Sequence, residues 1–255
     1  MPTALVTGAT AGIGESFTRL LAAKGYDLVL VARDEKRLQE RAKSLESKFK
    51  IKVEVLQADL SVAIQLAKVE KRLANTKFPI EVLINNAGFG IKDSFLKSDI
   101  ADEILLFDVL AKAPMQLAHA VLPQMLSRDS GTIINVSSVA SFIAGGTYSA
   151  AKAYLTVHTE SLHSELSKTN IKISALCPGF THTEFHQRGK MKMSGLPNLM
   201  WLEADRVVAD SWRAAMAGKA ICIPGWQYKI LSTIARFGPR PLVRKLGIKV
   251  RARQR

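Results

Sequence analysis

Short apolar runs alternate with longer stretches of helical period through the first 225 residues. Runs at 3–7, 27–31, 51–56, 80–84, 132–136, 171–176 and 220–223 read as strands; the run at 132–136 is apolar and β-branched, typical of a buried strand. Stretches at 15–24, 34–49, 61–75, 99–126, a segment opening near 147, and 203–217 carry helical spacing. The fourth of these is expected to be interrupted by Pro114 and Pro123. Strand and helix in regular alternation with short links demand a parallel sheet wrapped by helices on both faces. The pattern thus predicts an α/β protein, doubly wound over residues 1–225, whose ligand site lies at the carboxyl ends of its strands.

The segments after those strands carry the candidate chemistry. Gly8-Ala-Thr-Ala-Gly12-Ile-Gly14 joins the first strand to the first helix. Glycines there let backbone approach a phosphate, and the following helix offers free N–H groups and the positive end of its dipole. Its G-x-x-x-G-x-G spacing departs from the commoner G-x-G-x-x-G fingerprint. The second strand closes with Ala32-Arg33, followed by Asp34. A basic side chain there suits a ribose 2′-phosphate and an acidic one the ribose itself, so Arg33 as phosphate clamp with Asp34 as helix N-cap favours NADP(H). The alternative has Arg33 solvated and Asp34 on the ribose. The fourth strand ends in Asn85-Asn86-Ala87-Gly88, which is turn chemistry or a cofactor-facing or structural hydrogen-bonding pair.

Ser138, Tyr148 and Lys152 lie along one strand, loop and helix path. The tyrosine and lysine are four apart on a helix, so they share a face and an ammonium can sit close to a phenol. A neighbouring cation favours the phenolate and draws a phenol's pKa down from about 10. Such a tyrosine exchanges protons with an alcohol oxygen, and a serine hydroxyl aimed at the same oxygen stabilises charge there. The plain alternative is a packed ring and a solvated charge.

Composition narrows the class. With 255 residues, 47% hydrophobic and 23% charged, the chain can bury a sizeable core. Cys177 and Cys222 make neither a disulfide framework nor a zinc cluster, so no metal site is expected. The strand-like run at 3–7 leaves no room for a signal peptide, and cytoplasmic residence is expected. Residues 185–201, rich in Met, Gly and Pro, resemble a lid over the active site, bounded by about 184–202. The net charge of +14 is uneven, because residues 226–255 hold nine Lys and Arg and no acid. There Ile230, Leu231, Ile234 and Phe237 form one apolar helical face beside Lys229 and Arg236. That basic amphipathic tail suits an anionic membrane surface, or docks on the domain or a second subunit. No recognised module accompanies the charge, so nucleic acid is not an expected partner.

Thr7-Gly8-x-x-x-Gly12-x-Gly14, Asn85-Asn86-Ala87-Gly88, Ser138, Tyr148-x-x-x-Lys152 and Pro178-Gly179-x-x-x-Thr183 occur in this order and spacing. Together, over residues 3–223, they resemble the short-chain dehydrogenases/reductases. The resemblance implies a single Rossmann-like domain with about seven parallel strands, a nicotinamide cofactor, and a homodimer or homotetramer built on the two long helices. It implies Tyr148 as general acid/base, Lys152 on the nicotinamide ribose while lowering the tyrosine pKa, and Ser138 orienting the substrate carbonyl. Gly8, Gly12, Ile13 and Gly14 would cradle the pyrophosphate, and Asp59 and Leu60 would contact adenine. Asn86, Ala87 and Gly88 would line the adenosine side, and Pro178, Gly179 and Thr183 complete the cofactor-binding set, with Thr183 on the carboxamide. Arg33 stands where NADP-preferring members carry an arginine, and Ala32 where NAD-specific members carry an aspartate, so NAD(H) is the less favoured cofactor.

Two departures stand out. Leu110 occupies the place of an asparagine that usually holds a water beside the lysine, so the proton relay is expected to run another way, through a solvent chain reaching Asp108 or His119, or turnover to be slow. The separation of Ser138 from Tyr148 is also short, which predicts a small substrate loop. The expected function is an NADP(H)-dependent oxidoreductase interconverting a ketone or aldehyde with its alcohol, chiefly as a reductase. Phe185, Met191, Met193, Leu196, Leu199, Met200 and Trp201 in the lid lean toward an apolar or lipid-like substrate. The alternative is a catalytically weak NADP-binding protein acting through interaction or redox sensing.

Overall fold

Seven strands form one parallel sheet in the order β3-β2-β1-β4-β5-β6-β7 in a computed structural model that describes residues 1–185, 197–239, 241, 243 and 244. The strands are β1 (Thr3–Thr7), β2 (Asp27–Ala32), β3 (Val53–Gln57), β4 (Ile80–Asn85), β5 (Gly131–Val136), β6 (Ile171–Leu176) and β7 (Ile221–Cys222). The strand order reverses between β1 and β4, which pair directly with Leu5 opposite Leu83. A crevice opens beyond the carboxyl ends of two such strands, because their following helices leave to opposite faces.

The helices are α1 (Gly12–Ala23), α2 (Glu35–Phe49), α3 (Ala63–Leu73), α4 (Ile100–Phe107), α5 (Ala113–Arg128), α6 (Thr147–Glu165), α7 (Ala204–Met216) and α8 (Trp226–Phe237). On one face of the sheet Phe17, Leu21, Leu38, Trp212 and Tyr228 join a core with the inward residues of β1, β2 and β4. On the other, Leu66, Val69, Leu117, Val121 and Met125 do the same. Both faces are buried, so β1, β4 and β5 are rich in Val, Ile and Leu and buried along nearly their whole length.

Three local differences from the sequence reading matter. Pro123 does not interrupt α5, whose buried Val121 and Met125 hold it to the core on both sides of the missing N–H. Between α4 and α5 the chain makes a π-helical turn, Asp108–Lys112, immediately before Pro114, where the proline ring denies a regular α-helical hydrogen bond. And the polypeptide beyond Gly225 is not only a tail: α8 turns Gln227, Tyr228, Ser232 and Ala235 into the protein.

Candidate active site

The glycine-rich turn is built by steric necessity. Gly8 and Gly12 hold φ of +64° and +57°, in the left-handed region. A Cβ on Gly14 would lie 2.2 Å from the Gly8 carbonyl oxygen, and one on Gly12 2.9 Å from Thr183 Cβ. Thr183, arriving from the loop after β6, thus seals the side of the turn. Beneath it, Asn86 Nδ2 donates to the carbonyls of Thr7 (2.9 Å) and Gly8 (3.1 Å), and Thr7 Oγ1 accepts from the Asn86 and Ala87 amides. Asn85 Nδ2 donates to Asn135 Oδ1 at 2.9 Å and to the Pro114 carbonyl at 3.3 Å, fastening the start of α5 to the sheet. Both asparagine amides therefore brace backbone.

The start of α1 fits a dinucleotide's pyrophosphate. Its N-cap is Ala11, and no side chain caps it. α2 and α4, by contrast, are capped by Asp34 and Asp99. The uncapped first-turn N–H groups of α1 face the crevice with the positive dipole end behind them.

At the end of β2, Asp34 Oδ1 accepts from the Arg37 amide at 3.0 Å, so this carboxylate is engaged as the helix cap. The Arg33 side chain is 71% exposed, and its Nη1 lies 3.8 Å from Asp59 Oδ2. Arg37, which the sequence reading passed over, pairs through both guanidinium nitrogens with Glu184 at 2.9 and 3.1 Å. Burial works against the Asp59 carboxylate, but hydrogen bonds from the Ser61 hydroxyl and amide, with the Arg33 charge, hold it below the usual range. Leu60 is almost wholly buried, and Ile13 half-buried against the core.

Ser138, Tyr148 and Lys152 come together at the ends of β5 and α6. Ser138 caps a 3-10 turn (Val139–Phe142), its Oγ accepting from the Ala140 amide at 3.1 Å, and it hydrogen-bonds Tyr148. The short loop the sequence predicts is this turn, closed by Gly146 at φ +86°. Lys152 Nζ lies 5.9 Å from the Tyr148 ring centroid and donates to the Val136 carbonyl at 2.7 Å. Ser137 Oγ bonds the Lys152 carbonyl at 2.9 Å, locking α6 onto β5. Burial pushes the Tyr148 phenol up to about 12, with the Ser138 hydrogen bond opposing. The expected lowering by the lysine is not among the influences on this phenol: burial dominates and only the Ser138 hydrogen bond opposes it. The same desolvation lowers Lys152 to about 8.

Leu110 sits in the π-helical turn, fully buried, with its Cδ2 2.7 Å from where a Gly88 Cβ would be. Of the alternative relay groups, Asp108 pairs with Lys112 at 3.2 Å, and His119 lines a cleft on the α3-facing side of α5. Among the described residues, neither hydrogen-bonds Lys152 directly.

Phe185, in the stretch read as a lid, meets Tyr148 with ring centroids 6.0 Å apart. At the far end of that stretch lie Leu199, Met200 and Trp201, whose ring stacks on His182 at 4.7 Å. Met191, Met193 and Leu196 lie outside the described residues. Thr181 and Leu202 form a parallel bridge at the lid's base. Sequence reasoning missed Tyr228, whose hydroxyl reaches both ends of the lid; nothing local marks a contact 48 residues away from Phe180.

Residues 2–193 match the family described as short chain dehydrogenase. The chain belongs to that family. Among relatives of this short-chain dehydrogenase, an NADP-dependent 3-hydroxy acid dehydrogenase of Schizosaccharomyces pombe is 36% identical over 189 residues, 72% of this chain and 73% of that one. A short-chain dehydrogenase of Sphingobium yanoikuyae, solved in complex with NADPH, superposes with a TM-score of 0.85 at 33% identity, covering 91% of this chain and 93% of that one. A bulky-bulky ketone specific alcohol dehydrogenase of Comamonas testosteroni gives a TM-score of 0.81 at 30% identity, with 91% of each chain covered. The protein is accordingly an NAD(P)-dependent dehydrogenase or reductase.

Proposed function

We propose that this enzyme reduces an apolar ketone or aldehyde to its alcohol at the expense of NADPH. The observation that carries the reading is the Tyr148 phenol, hydrogen-bonded to Ser138 and held neutral by burial. The nicotinamide cofactor supplies the hydride. A neutral phenol at neutral pH is charged with the proton that reduction consumes, and it donates this proton to the carbonyl oxygen as charge develops there. Ser138 donates to the same oxygen, and the Lys152 ammonium behind the ring stabilises the phenolate left after transfer. Gly8, Gly12, Ile13 and Gly14 hold the pyrophosphate, Thr183 the carboxamide, and Lys152 the ribose.

NADP(H) over NAD(H) is supported by the exposed Arg33 guanidinium and by Asp34, whose carboxylate is spent on capping α2. The NADPH complex of the Sphingobium relative and the NADP-dependent yeast relative point the same way. The aromatic and thioether side chains at the lid's described ends, with the bulky-ketone preference of the Comamonas relative, support an apolar substrate. Exposed Phe107 and Met115 before and within α5, and Val157 on α6, support a homodimer on those helices. The test is NADPH oxidation against a panel of aliphatic, aryl and 3-oxoacyl carbonyls. Turnover on bulky apolar members, with NADH at least about tenfold poorer, supports the reading; turnover with NADH alone sinks it.

We also infer that the outer face of α8 lies on an anionic lipid surface. Trp226, Ile230, Ile234 and Phe237 share that face and are 61, 53, 48 and 82% exposed. Lys229 flanks it, as does Arg236, whose guanidinium also lies 3.8 Å from Glu160 Oε1, and the sequence beyond holds further Lys and Arg and no acid. Vesicles containing phosphatidylglycerol should float the protein and neutral phosphatidylcholine vesicles should not. Equal flotation of wild type and an Ile234→Glu, Phe237→Glu variant would overturn this. Truncation is the poorer test, because it removes the buried Tyr228.

A further inference from the structure

The loop after β6 and the lid share one anchor that lies outside every sequence motif. Tyr228, on the first turn of α8, is 2% exposed, and its ring lies flat on Gly179: a Cβ there would sit 1.9 Å from Tyr228 Cζ and 2.1 Å from Cε2. Gly179 is therefore glycine because the ring needs its space, and no unusual φ is involved. The Tyr228 hydroxyl accepts from the Phe180 amide at 2.9 Å and donates to the Met200 carbonyl. One oxygen thus joins the residue that leads into the lid to the residue that leads out of it. Burial pushes this phenol up to about 12, so it remains a donor through the working range. The neighbouring Gln227 Nε2 donates to the Leu199 carbonyl at 2.9 Å, a second tie to the same outgoing strand of the lid.

The anchored segment runs straight into the site. Pro178 accepts from the Val139 amide at 3.0 Å, beside Ser138. His182 donates its amide to Leu202, and Leu202 donates to Phe180, closing the base of the lid as a short ladder. Three residues beyond Phe180, Thr183 packs on Gly12 of the pyrophosphate turn. Displacing the Phe180 backbone would shift Thr183 against the turn and Phe185 against Tyr148 together.

We propose that Tyr228 is a positioning residue for the reductase: its hydroxyl ties the Phe180 and Met200 backbones together and so sets nicotinamide affinity through Thr183 and the approach of Phe185 to Tyr148. The proposal rests on the reductase reading for its kinetic arm only. Tyr228→Phe keeps the ring on Gly179 and removes the oxygen, leaving a buried Phe180 amide without its acceptor. Losing a buried hydrogen-bond partner is felt at about the tenfold level in an equilibrium.

The experiment compares wild type, Tyr228→Phe and Gln227→Ala by three readouts. NADPH titration followed by nicotinamide fluorescence should show a dissociation constant about tenfold weaker in Tyr228→Phe. Amide hydrogen exchange should speed up at residues 180–183 and 199–202 while the sheet amides of β1 and β4 stay unchanged. With the best carbonyl of the panel, KM should rise more than kcat falls, a split that a merely loosened core does not give. Gln227→Ala should give the same pattern more weakly. Unchanged NADPH affinity with unchanged exchange at both feet would overturn the proposal, as would faster exchange across the whole sheet. If wild type reduces no carbonyl, the reductase reading fails while the affinity and exchange readouts still decide the role of Tyr228.

Discussion

Leu110 and Lys152 both approach Gly88 closely. A Cβ added to Gly88 would lie 2.7 Å from Leu110 Cδ2 and 3.9 Å from Lys152 Nζ, so an apolar branch stands beside the ammonium. The π-helical turn delivers that side chain, and the ammonium answers by donating to the Val136 carbonyl at 2.7 Å. Lys152 is buried here, and that burial lowers its pKa to about 8.

The sign of the pH dependence follows. Lys152 has a folded pKa near 8, below the 10.5 of a free lysine. Between those values the unfolded chain binds the proton and the folded protein does not, so this residue makes stability rise with pH across that window. Below 8 both states are protonated and its unfavourable contribution is constant. Lys152→Met should therefore be most favoured relative to wild type at pH 7, and the difference should shrink as pH rises from 8 to 10.5. Denaturant unfolding of both proteins across that range checks it; a difference independent of pH contradicts it.

Arg33→Ala should weaken NADPH binding by about tenfold to a hundredfold, the scale of a lost charge-assisted contact, and leave NADH binding within about twofold. Equilibrium titration with both cofactors measures this. A parallel loss for both would assign Arg33 to adenine or to helix α2 instead of the 2′-phosphate.

Gly14→Ala should remove cofactor binding and destabilise the fold by several kcal/mol, on the order of an overpacked core site. The obstacle is backbone: its Cβ would meet the Gly8 carbonyl oxygen at 2.2 Å, and no rotamer relieves that. Thermal unfolding and NADPH titration of the variant are the checks. Gly25→Ala makes a control, since no atom lies within 4 Å and only its φ of +80° is strained.

Much of this architecture is written in local pattern. The strands at Thr3–Thr7 and Ile171–Leu176 begin and end where their apolar runs do, and Asp34 caps α2 because its short carboxylate reaches the Arg37 amide. The glycine turn and the Ser138, Tyr148 and Lys152 set are legible because each needs a fixed residue type at fixed spacing. What the sequence does not display is long range. The approach of Leu110 to Gly88 is set by the packing of separate elements, and the ties of Asn86 and Tyr228 join residues 79 and 48 positions apart. The phenol's high pKa is likewise a property of burial, which spacing alone does not give. Pro123 shows the converse: it reads as a break, yet core packing carries α5 through it.

The most direct measurement is the rate of NADPH consumption on a bulky apolar ketone by wild type and by Tyr148→Phe, each saturated with cofactor. The ring is retained, so NADPH affinity should stay within about twofold while turnover falls by about a hundredfold to ten-thousandfold, the scale of a lost general acid. Turnover in Tyr148→Phe close to that of wild type would contradict the account, because the proton would then reach the carbonyl oxygen without the residue that the fold buries to carry it.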